Sequence, residues 1–523
     1  MRFLSALRRA RGPAITLVSG VLPASLVVLI LAACAAVERT VCLEADGEER
    51  CFDSQARAVN EALAQGGVSL GERDRVEPSY WDPLPADGVV RIVRVAERTE
   101  VERQPLPFAR HDIPSLGLQA GEQRLLQPGK EGVEELTYLV TLEDGVPTER
   151  RLASRAIAIE PIDELVAVGV ESEGQIVPLD GTIAYLALGN AWVMRGSSGV
   201  ARPLTLTGDL DGRVFELSPD GATLLFSRRL ADVADGLNTL WSIPTGVANP
   251  EAQDLGVADV LAARWSPDGR QLAYSRGERT EGSPGWRALN DVWLLGWLPS
   301  TSPWQLRAPG CGGPYCWWGI ELEWTTDGSG MLVAEPSALR EVRLDGSEQL
   351  VAAFPPAKAP SSWVWVPRPS AHPAGGVVAL AWHRAVEGTA PEDSPSYDVS
   401  LIDLAGGSVL ALADNAGMWS RPLFSRVGAD GAVRVAYAVA AQPVDSANSD
   451  YSLWAADADG SDERRLYPKG EGPGARILDF AWSPDADSVL LVDGGDLYLC
   501  PVDGAPVVPV LRGVEAVKVR WAP

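Results

Sequence analysis

Short apolar runs separated by polar turns dominate the chain from about residue 174 to residue 523, and they recur. The clearest copies begin at Leu217, Trp265, Trp324 and Trp482, as in "WSPDGRQLAYSR". Weaker copies lie near Trp365 and Phe424. In the Ser-Pro-Asp-Gly element, Pro presets φ, Asp bonds its own backbone and Gly accepts φ > 0. Each copy therefore predicts two β-strands joined by a tight turn.

Second strand signals such as "NDVWLLGW" and "GDLYLCPVDG" lie between the copies. Each unit thus predicts four short antiparallel strands, the composition of a propeller blade. The repeats of residues 171–523 resemble those of TolB-type β-propellers. The count favours seven blades, with six or eight, or a pair of β-sandwiches, as alternatives.

The end of the chain predicts how this ring closes. Residues 517–521 form a surplus inner strand, whereas the first unit lacks one. We expect this strand beside residues 183–186, with Val517, Val519 and Trp521 buried. That pairing would leave no exposed sheet edge.

A different pattern occupies residues 34–95. Asp46-Gly47 is a strong hairpin signal, and the apolar face of a short helix follows before Gly66-Gly67 ends it. The stretches "DGEER", "AVNEALAQGGVSLGERDRV" and "PLPADGVVRI" resemble the small β-grasp repeat found beside peptidoglycan-remodelling domains in resuscitation-promoting factors. The resemblance implies a small sheet with one helix.

Residues 96–170 alternate with period two and are interrupted by glycines, which predicts long strands with turns of positive φ. The "QPGKEG" turn, the "ELTYLVTLEDG" strand and the closing "AVG" resemble the G5 (five-glycine) domain. The five glycines would be Gly121, Gly129, Gly132, Gly145 and Gly169. The resemblance implies an elongated, thinly cored stalk or adhesive module at a cell surface, and glycan binding and simple spacing are both compatible with it.

The N-terminus indicates the compartment. A basic start precedes an apolar run from about Ala14 to Ala33, which ends in "LAAC" at Cys34. This resembles a bacterial lipoprotein signal peptide over residues 1–33, and it implies that Cys34 becomes the lipidated N-terminus. The alternative is an uncleaved transmembrane anchor, since the run is just long enough to span a bilayer. Both place the remaining chain outside the membrane.

The other cysteines fit an oxidising compartment. With Asp46-Gly47 as the turn, Cys42 and Cys51 face each other as a non-hydrogen-bonded pair within disulfide reach. Cys311 and Cys316 are close enough to pair around a Gly-Gly-Pro loop, although reduced thiols or a metal contact would also fit. Cys500 is expected to be a buried strand residue.

Composition limits the function classes. Of the 523 residues, 46% are hydrophobic and 22% charged, so most of the chain is expected to fold. The net charge of −25 argues against nucleic acid as a partner. The three histidines, His111, His372 and His383, are scattered, and no G-x-S-x-G motif occurs. We therefore predict no catalytic residues, no metal and no cofactor, and we interpret the acidic stretches "GDLDG" and "DADGSD" as hairpin turns.

The 18 tryptophans are the more suggestive feature. Those that begin the repeats are expected in blade cores. Trp317 and Trp318 belong to a cluster in the longest excursions, where they could stack on sugars or clamp a peptide, or could simply pack against each other and the neighbouring blade.

These features together predict a predominantly all-β protein: a β-grasp unit, an elongated G5 domain and a C-terminal β-propeller. We expect a non-enzymatic, lipid-anchored cell-surface binding or scaffold protein outside the cytoplasm. Its expected partners are peptidoglycan, another envelope polysaccharide or an envelope protein, together with the membrane through the lipid. The alternative is a propeller hydrolase or lyase that acts on cell-surface glycan.

Overall fold

The computed structural model describes residues 38–115, 118, 121–169, 176–230, 236–281, 284–297, 302–310, 315–358, 363–470, 472 and 474–523. Contacts divide the chain into two compact units. Of the described residues, the first unit comprises those up to Glu102 together with Leu136–Arg155, and the second comprises those within Arg103–Glu135 and Ala156–Pro523. The expected signal peptide and Cys34 lie outside the described residues. Within the described ranges, no helix is both long enough and apolar enough to cross a membrane.

The first unit begins with a four-stranded sheet of order β2-β1-β4-β3, with one helix beside it. Its elements are β1 (Arg39–Ala45), β2 (Glu48–Ser54), α1 (Val59–Gly66), β3 (Arg75–Glu77) and β4 (Val89–Val93). Strands β1 and β2 form the expected hairpin, and Asp46 and Gly47 both have positive φ. Strand β1 also pairs in parallel with β4. Apolar residues of α1 pack on this sheet, so the β-grasp expectation is confirmed.

Six long or irregular strands follow, in two sheets. Strands β5 (Val95–Leu106), β8 (Gly132–Glu143) and β9 (Val146–Ile159) form one sheet, and β6 (Arg110–Ser115), β10 (Glu164–Gly169) and β7 (Gln123–Gln127) form the other. Nearly every residue of β9 is exposed, which confirms the thin core. The division between the two compact units passes through this segment.

The glycines of this segment have two different roles. Gly121 and Gly145 have φ of 80° and 78°, as a turn glycine requires. Gly129 and Gly132 do not, so the expectation of positive φ was wrong for them. A Cβ at Gly129 would lie 2.2 Å from the Phe108 ring, and one at Gly132 would lie 2.3 Å from the Ile159 carbonyl oxygen. Close packing therefore requires glycine at these two positions.

Within the second unit, the β6-β10-β7 sheet packs on the start of the propeller. Ile113 and Leu165 share a buried cluster with Tyr185 and Val519.

The described part of residues 176–523 forms seven four-stranded antiparallel blades, as the sequence favoured. From the inner strand outward, the first three blades are β41 (Ala516–Ala522), β11 (Pro178–Ala187), β12 (Asn190–Ser197), β13 (Arg202–Pro203); β14 (Leu210–Leu217), β15 (Thr223–Arg229), β16 (Asn238–Pro244), β17 (Gln253–Ala258); and β18 (Val260–Trp265), β19 (Gln271–Arg279), β21 (Val292–Gly296), β22 (Trp304–Arg307). The short strand β20 (Trp286–Ala288) also pairs with β19.

The other four blades are β23 (Glu321–Trp324), β24 (Gly330–Glu335), β25 (Ala338–Arg343), β26 (Glu348–Ala353); β29 (Ser370–Ala371), β30 (Val377–Arg384), β31 (Ser396–Asp403), β32 (Val409–Ala413); β33 (Leu423–Phe424), β34 (Arg434–Ala440), β35 (Tyr451–Asp457), β36 (Arg464–Tyr467); and β37 (Ile477–Trp482), β38 (Ser488–Asp493), β39 (Asp496–Pro501), β40 (Val508–Leu511). Strands β27 (Ala357–Lys358) and β28 (Val364–Trp365) pair between the fourth and fifth blades.

Strand β41 closes the ring as predicted. It pairs antiparallel with β11, with Trp521 opposite Ile183 and Val519 opposite Tyr185. Val519 is fully buried, but Val517 is 47% exposed and Trp521 is only partly buried, so the expected burial was wrong for Val517 and is incomplete for Trp521. The register shifts between Lys518 and Ala516, and this irregularity releases Val517 from the alternation.

The repeat tryptophans also connect neighbouring blades. Trp265, Trp324 and Trp482 are buried, as expected for blade cores. Each Nε1–H donates to a carbonyl at the inner strand of the preceding blade, on Glu216, Arg264 and Leu423 respectively. The repeat tryptophan therefore contributes to the apolar core of its own blade and makes a polar contact to the preceding blade.

Candidate binding cavity at the centre of the propeller

A cavity of about 590 Å³ lies among inner strands and loops of the propeller. Blades 4 to 7 and the closing strand of blade 1 all contribute to its lining. Its charged lining residues are Glu321, Arg368, Arg421, Arg476, Asp479 and Lys518. Glu321, Asp479 and Lys518 lie on the inner strands of three blades, where alternate positions face the axis of the ring. Arg368, Arg421 and Arg476 lie one or two residues before an inner strand.

Ion pairs connect these inner strands around the ring. Arg520 of the first blade binds Glu216 of the second through two contacts of 3.0 Å. Arg264 contacts Glu216 at 3.1 Å and Glu321 at 3.3 Å. Burial alone would raise the pKa of Glu216, but Arg520 and Arg264 outweigh it and lower that pKa to about 2. Glu216 is therefore ionised at neutral pH.

The cavity side of this network has two further pairs. The Arg368 Nε contacts Glu321 at 3.3 Å, and Arg421 binds Asp479, which also accepts from the Arg520 guanidinium at 2.7 Å. Arg421 has a φ of 42°, a left-handed conformation that non-glycine residues rarely adopt. Such backbone strain is frequent at ligand sites.

Two charged residues are not neutralised in this way. Lys518 has a pKa lowered to about 7, because burial and the neighbouring cations Arg368 and Arg520 disfavour its charged form. Among the described residues, neither Lys518 nor Arg476 makes a side-chain ion pair or hydrogen bond.

Tryptophans line the same cavity. The rings of Trp363 and Trp419 stack with centroids 5.7 Å apart and planes 9° apart, and Trp419 remains 45% exposed. The Nε1–H groups of Trp419 and Trp365 already donate to backbone carbonyls, of Ala447 and Met418. Trp419 therefore offers ring surface to a ligand and no hydrogen-bond donor, whereas Trp365 is buried.

The structure separates the two tryptophans that the sequence singled out. Both lie on a short 3₁₀ helix, Cys316–Trp318. Trp318 lines the cavity and packs edge-on against Trp286. Trp317 is 40% exposed, lines none of the described cavities, and donates its Nε1–H to the Trp286 carbonyl at 2.7 Å.

The cysteines follow the prediction where the structure describes them. Cys42 and Cys51 form a disulfide and face each other across the β1–β2 hairpin. Cys500 is buried, and burial raises the pKa of its thiol to about 12. Cys311 and the Cys316 side chain lie outside the described residues, so their pairing stays a prediction.

The three histidines have different surroundings. The His111 ring contacts Asp163 at 2.8 Å and Glu515 at 3.0 Å, whereas the His383 ring is held between the Pro355 and Ser394 carbonyls. None of the three lines the cavity.

Sequence reasoning missed the cationic lining, including Arg368, Arg421, Arg476 and Lys518. A sequence signal exists only for other charged residues of the inner strands, which directly precede three repeat tryptophans in "RWSP", "EWTT" and "RWAP". Arg264, Glu323 and Arg520 occupy that position, and alternation along the inner strand turns it away from the blade core.

Comparison with known proteins supports the N-terminal part of this architecture. The sequence profile of the G5 domain matches residues 97–171, and that of the G5-linked ubiquitin-like domain matches residues 41–79. Resuscitation-promoting factor RpfB of Mycolicibacterium smegmatis is 24% identical over 168 residues, which are 31% of this chain and 46% of that protein. The match thus spans less than half the length of that relative.

Solved structures give weaker likenesses to the propeller. TolB from Acinetobacter baumannii is 14% identical, with 82% of this chain and 100% of that chain covered and a TM-score of 0.37. A prolyl endopeptidase is 15% identical, with 64% and 49% covered and a TM-score of 0.43. The propeller assignment stands on the strand pairing itself. In chain order, the described residues include a G5-linked ubiquitin-like domain, a G5 domain and a seven-bladed β-propeller.

Proposed function

We propose that this protein is a non-enzymatic binding protein of the bacterial cell envelope, lipid-anchored at Cys34 outside the cytoplasm. The central cavity carries this proposal, because it combines exposed indole surface with cationic side chains on a rigid ring. A cavity of about 590 Å³ falls within the range of roughly 300–1,000 Å³ that small-molecule sites occupy.

The N-terminal domains support the location. RpfB is named as a resuscitation-promoting factor, and 168 residues of this chain are 24% identical to it. The disulfide between Cys42 and Cys51 fits an oxidising compartment. The ligand proposed is an envelope polymer, with peptidoglycan as the first candidate.

A co-sedimentation experiment tests the binding. The purified full chain in detergent is mixed with insoluble peptidoglycan, and the bound fraction is measured against protein concentration. We expect saturable binding that the variant Trp419→Ala weakens at least ten-fold. The control Arg270→Gln changes a side chain that is 85% exposed and lines no described cavity, and should bind as the parent does.

The same experiment separates binding from catalysis. Soluble saccharide released over time would show the hydrolase or lyase alternative, and it would contradict the non-enzymatic part of the proposal. Saturable binding that Trp419→Ala leaves unchanged would place the site elsewhere. Lipidation is tested separately, by labelling cells with a palmitate analogue in the presence and absence of Cys34→Ser.

A further inference from the structure

We propose that the central cavity selects an acidic saccharide, with Lys518 and Arg476 receiving a sugar carboxylate and the tryptophans receiving the sugar rings. This inference rests on the proposed function and adds the chemical class of the ligand: a polysaccharide with free sugar carboxylates, which peptidoglycan offers only on muramic acid residues that carry no stem peptide.

The first argument is the charge balance inside the cavity. Four cations line it, Arg368, Arg421, Arg476 and Lys518, against the two carboxylates of Glu321 and Asp479. Both carboxylates are already paired with arginines. The cavity is therefore cationic in a chain whose net charge is −25. Because the chain as a whole is acidic, this positive charge is specific to the cavity.

The second argument is the cost of an uncompensated cation. An ammonium removed from water is strongly unfavourable unless an anion or several hydrogen bonds compensate for it. Lys518 lies among several charged side chains: Arg368, Arg421 and Arg520 repel it, and Glu216 and Glu321 attract it. Its pKa is lowered first by burial and then by the repulsion of Arg368 and Arg520. An anionic ligand would relieve this repulsion.

The third argument concerns the kind of anion. Arg476 is exposed at the cavity and has a planar fork of donors that fits a carboxylate, while Lys518 supplies a compact point charge deeper inside. Sugar rings present flat C–H faces that stack on indole rings. Trp419, 45% exposed with its N–H already bonded, offers such a surface at the same cavity. A carboxylate and a ring in one small ligand describe an acidic sugar.

Calorimetric titration of the full chain tests this with two matched disaccharides. N-acetylglucosaminyl-N-acetylmuramic acid carries one carboxylate, and di-N-acetylchitobiose has the same two-ring size without it. We expect the acidic disaccharide to bind at least ten-fold more tightly at pH 6.5. Lys518→Met should abolish this preference, and Trp419→Ala should weaken both disaccharides equally. Arg270→Gln should change neither.

If the parent protein binds the two disaccharides with equal affinity, the inference is overturned, even if the protein still co-sediments with peptidoglycan. Tighter binding of tri-alanine, a peptide carboxylate without a sugar, would also overturn it in favour of a peptide ligand. Circular dichroism and melting temperature establish that each variant is folded. If Lys518→Met fails to fold, the exposed Arg476→Gln takes its place, and an undiminished preference in that variant would contradict the assignment.

Discussion

At the residue scale, the Ser-Pro-Asp-Gly turns show how closely local chemistry determines local structure. In the turns of blades 2 and 3, Asp220 and Asp268 each accept from the serine two residues earlier and from a backbone N–H. The glycine position has a φ between 66° and 70° at Gly221, Gly269 and Gly328. The turn of blade 7 places Ala486 at a φ of 64°, so one turn tolerates a side chain in the left-handed region.

Gly328→Ala should therefore destabilise the propeller without disrupting it. Nothing lies within 4 Å of the Cβ that the substitution adds, so the effect is purely conformational. We expect a loss of about 1 kcal/mol, since an L-residue in the left-handed region costs roughly that amount. Urea unfolding followed by tryptophan emission measures it. Gly472→Ala is the matched control, because that Cβ is also free of contacts but the φ is not left-handed. A cost equal for both variants would contradict the explanation.

Glu323 gives the propeller a pH-dependent stability. Burial, and next the nearby Glu216 and Glu321, raise its pKa to about 7 against the attraction of Arg264. A carboxyl whose folded pKa is raised contributes stability that is complete below its unfolded pKa and is lost as the pH rises through about 7. Glu323→Gln should remove this loss, so the variant should exceed the parent at pH 8 by an amount on the order of 2 kcal/mol and match it near pH 4.5. A difference that does not change between these pH values would show that Glu323 is not the titrating group.

At the element scale, most of the fold was predictable. Hydrophobic alternation together with turn residues determined the blades, the β1–β2 hairpin and the pairing of β41 with β11. The errors have identifiable causes. Val517 departs from the alternation of buried and exposed positions because the strand register shifts beside it. Gly129 and Gly132 are glycines because a Cβ at either position would collide with the Phe108 ring or the Ile159 carbonyl. Neither cause is visible in a period-two pattern, since each depends on a neighbouring strand or ring.

The disulfide between Cys42 and Cys51 should stabilise the small N-terminal sheet. Replacing both cysteines by alanine is expected to cost about 2 kcal/mol, by the loop-closure entropy of a short loop. Val41 and Leu43 of β1 are fully or nearly fully buried. The loss of stability should appear as faster hydrogen exchange of their backbone amides. Exchange of blade cores should not change. Alkylation of both thiols in secreted protein without reductant would show that the bond does not form in the cell.

At the scale of the whole molecule, the seven-bladed ring depends on β41. Deleting residues 515–523 removes the buried Val519 and the backbone partner of β11, and it opens the ring between blades 1 and 7. We expect the truncated propeller to lose its near-ultraviolet circular dichroism or to aggregate. A truncated protein that melts like the full chain would refute closure by this strand.

Two substitutions on this strand provide a finer comparison. Val519→Ser places a hydroxyl where the side chain is fully buried and should cost about 3 kcal/mol. Val517→Ser, two residues away but 47% exposed, should change stability by less than about 0.5 kcal/mol. Similar losses for the two variants would mean that the register of β41 is not the one described.

The cavity lining could not be predicted at this scale. Lys518 and Trp318 are separated by roughly 200 residues in sequence and meet at one cavity only because the ring closes. A single repeat shows which residue faces the axis, but it does not show which residues of other blades lie nearby. The sequence therefore identified Trp318 as a candidate, and left its cationic neighbours unrecognised.

Ring closure also determines when the first blade can be completed during biosynthesis. The Trp521 indole donates to the Asp180 carbonyl, 341 residues earlier in the chain. The first blade therefore stays incomplete, with β11 lacking its inner neighbour, until almost the whole propeller has been synthesised. Contacts between such distant residues form slowly, and the open edge is prone to mispairing meanwhile. We expect secretion of this protein to depend strongly on the chaperones that protect exported chains before they fold.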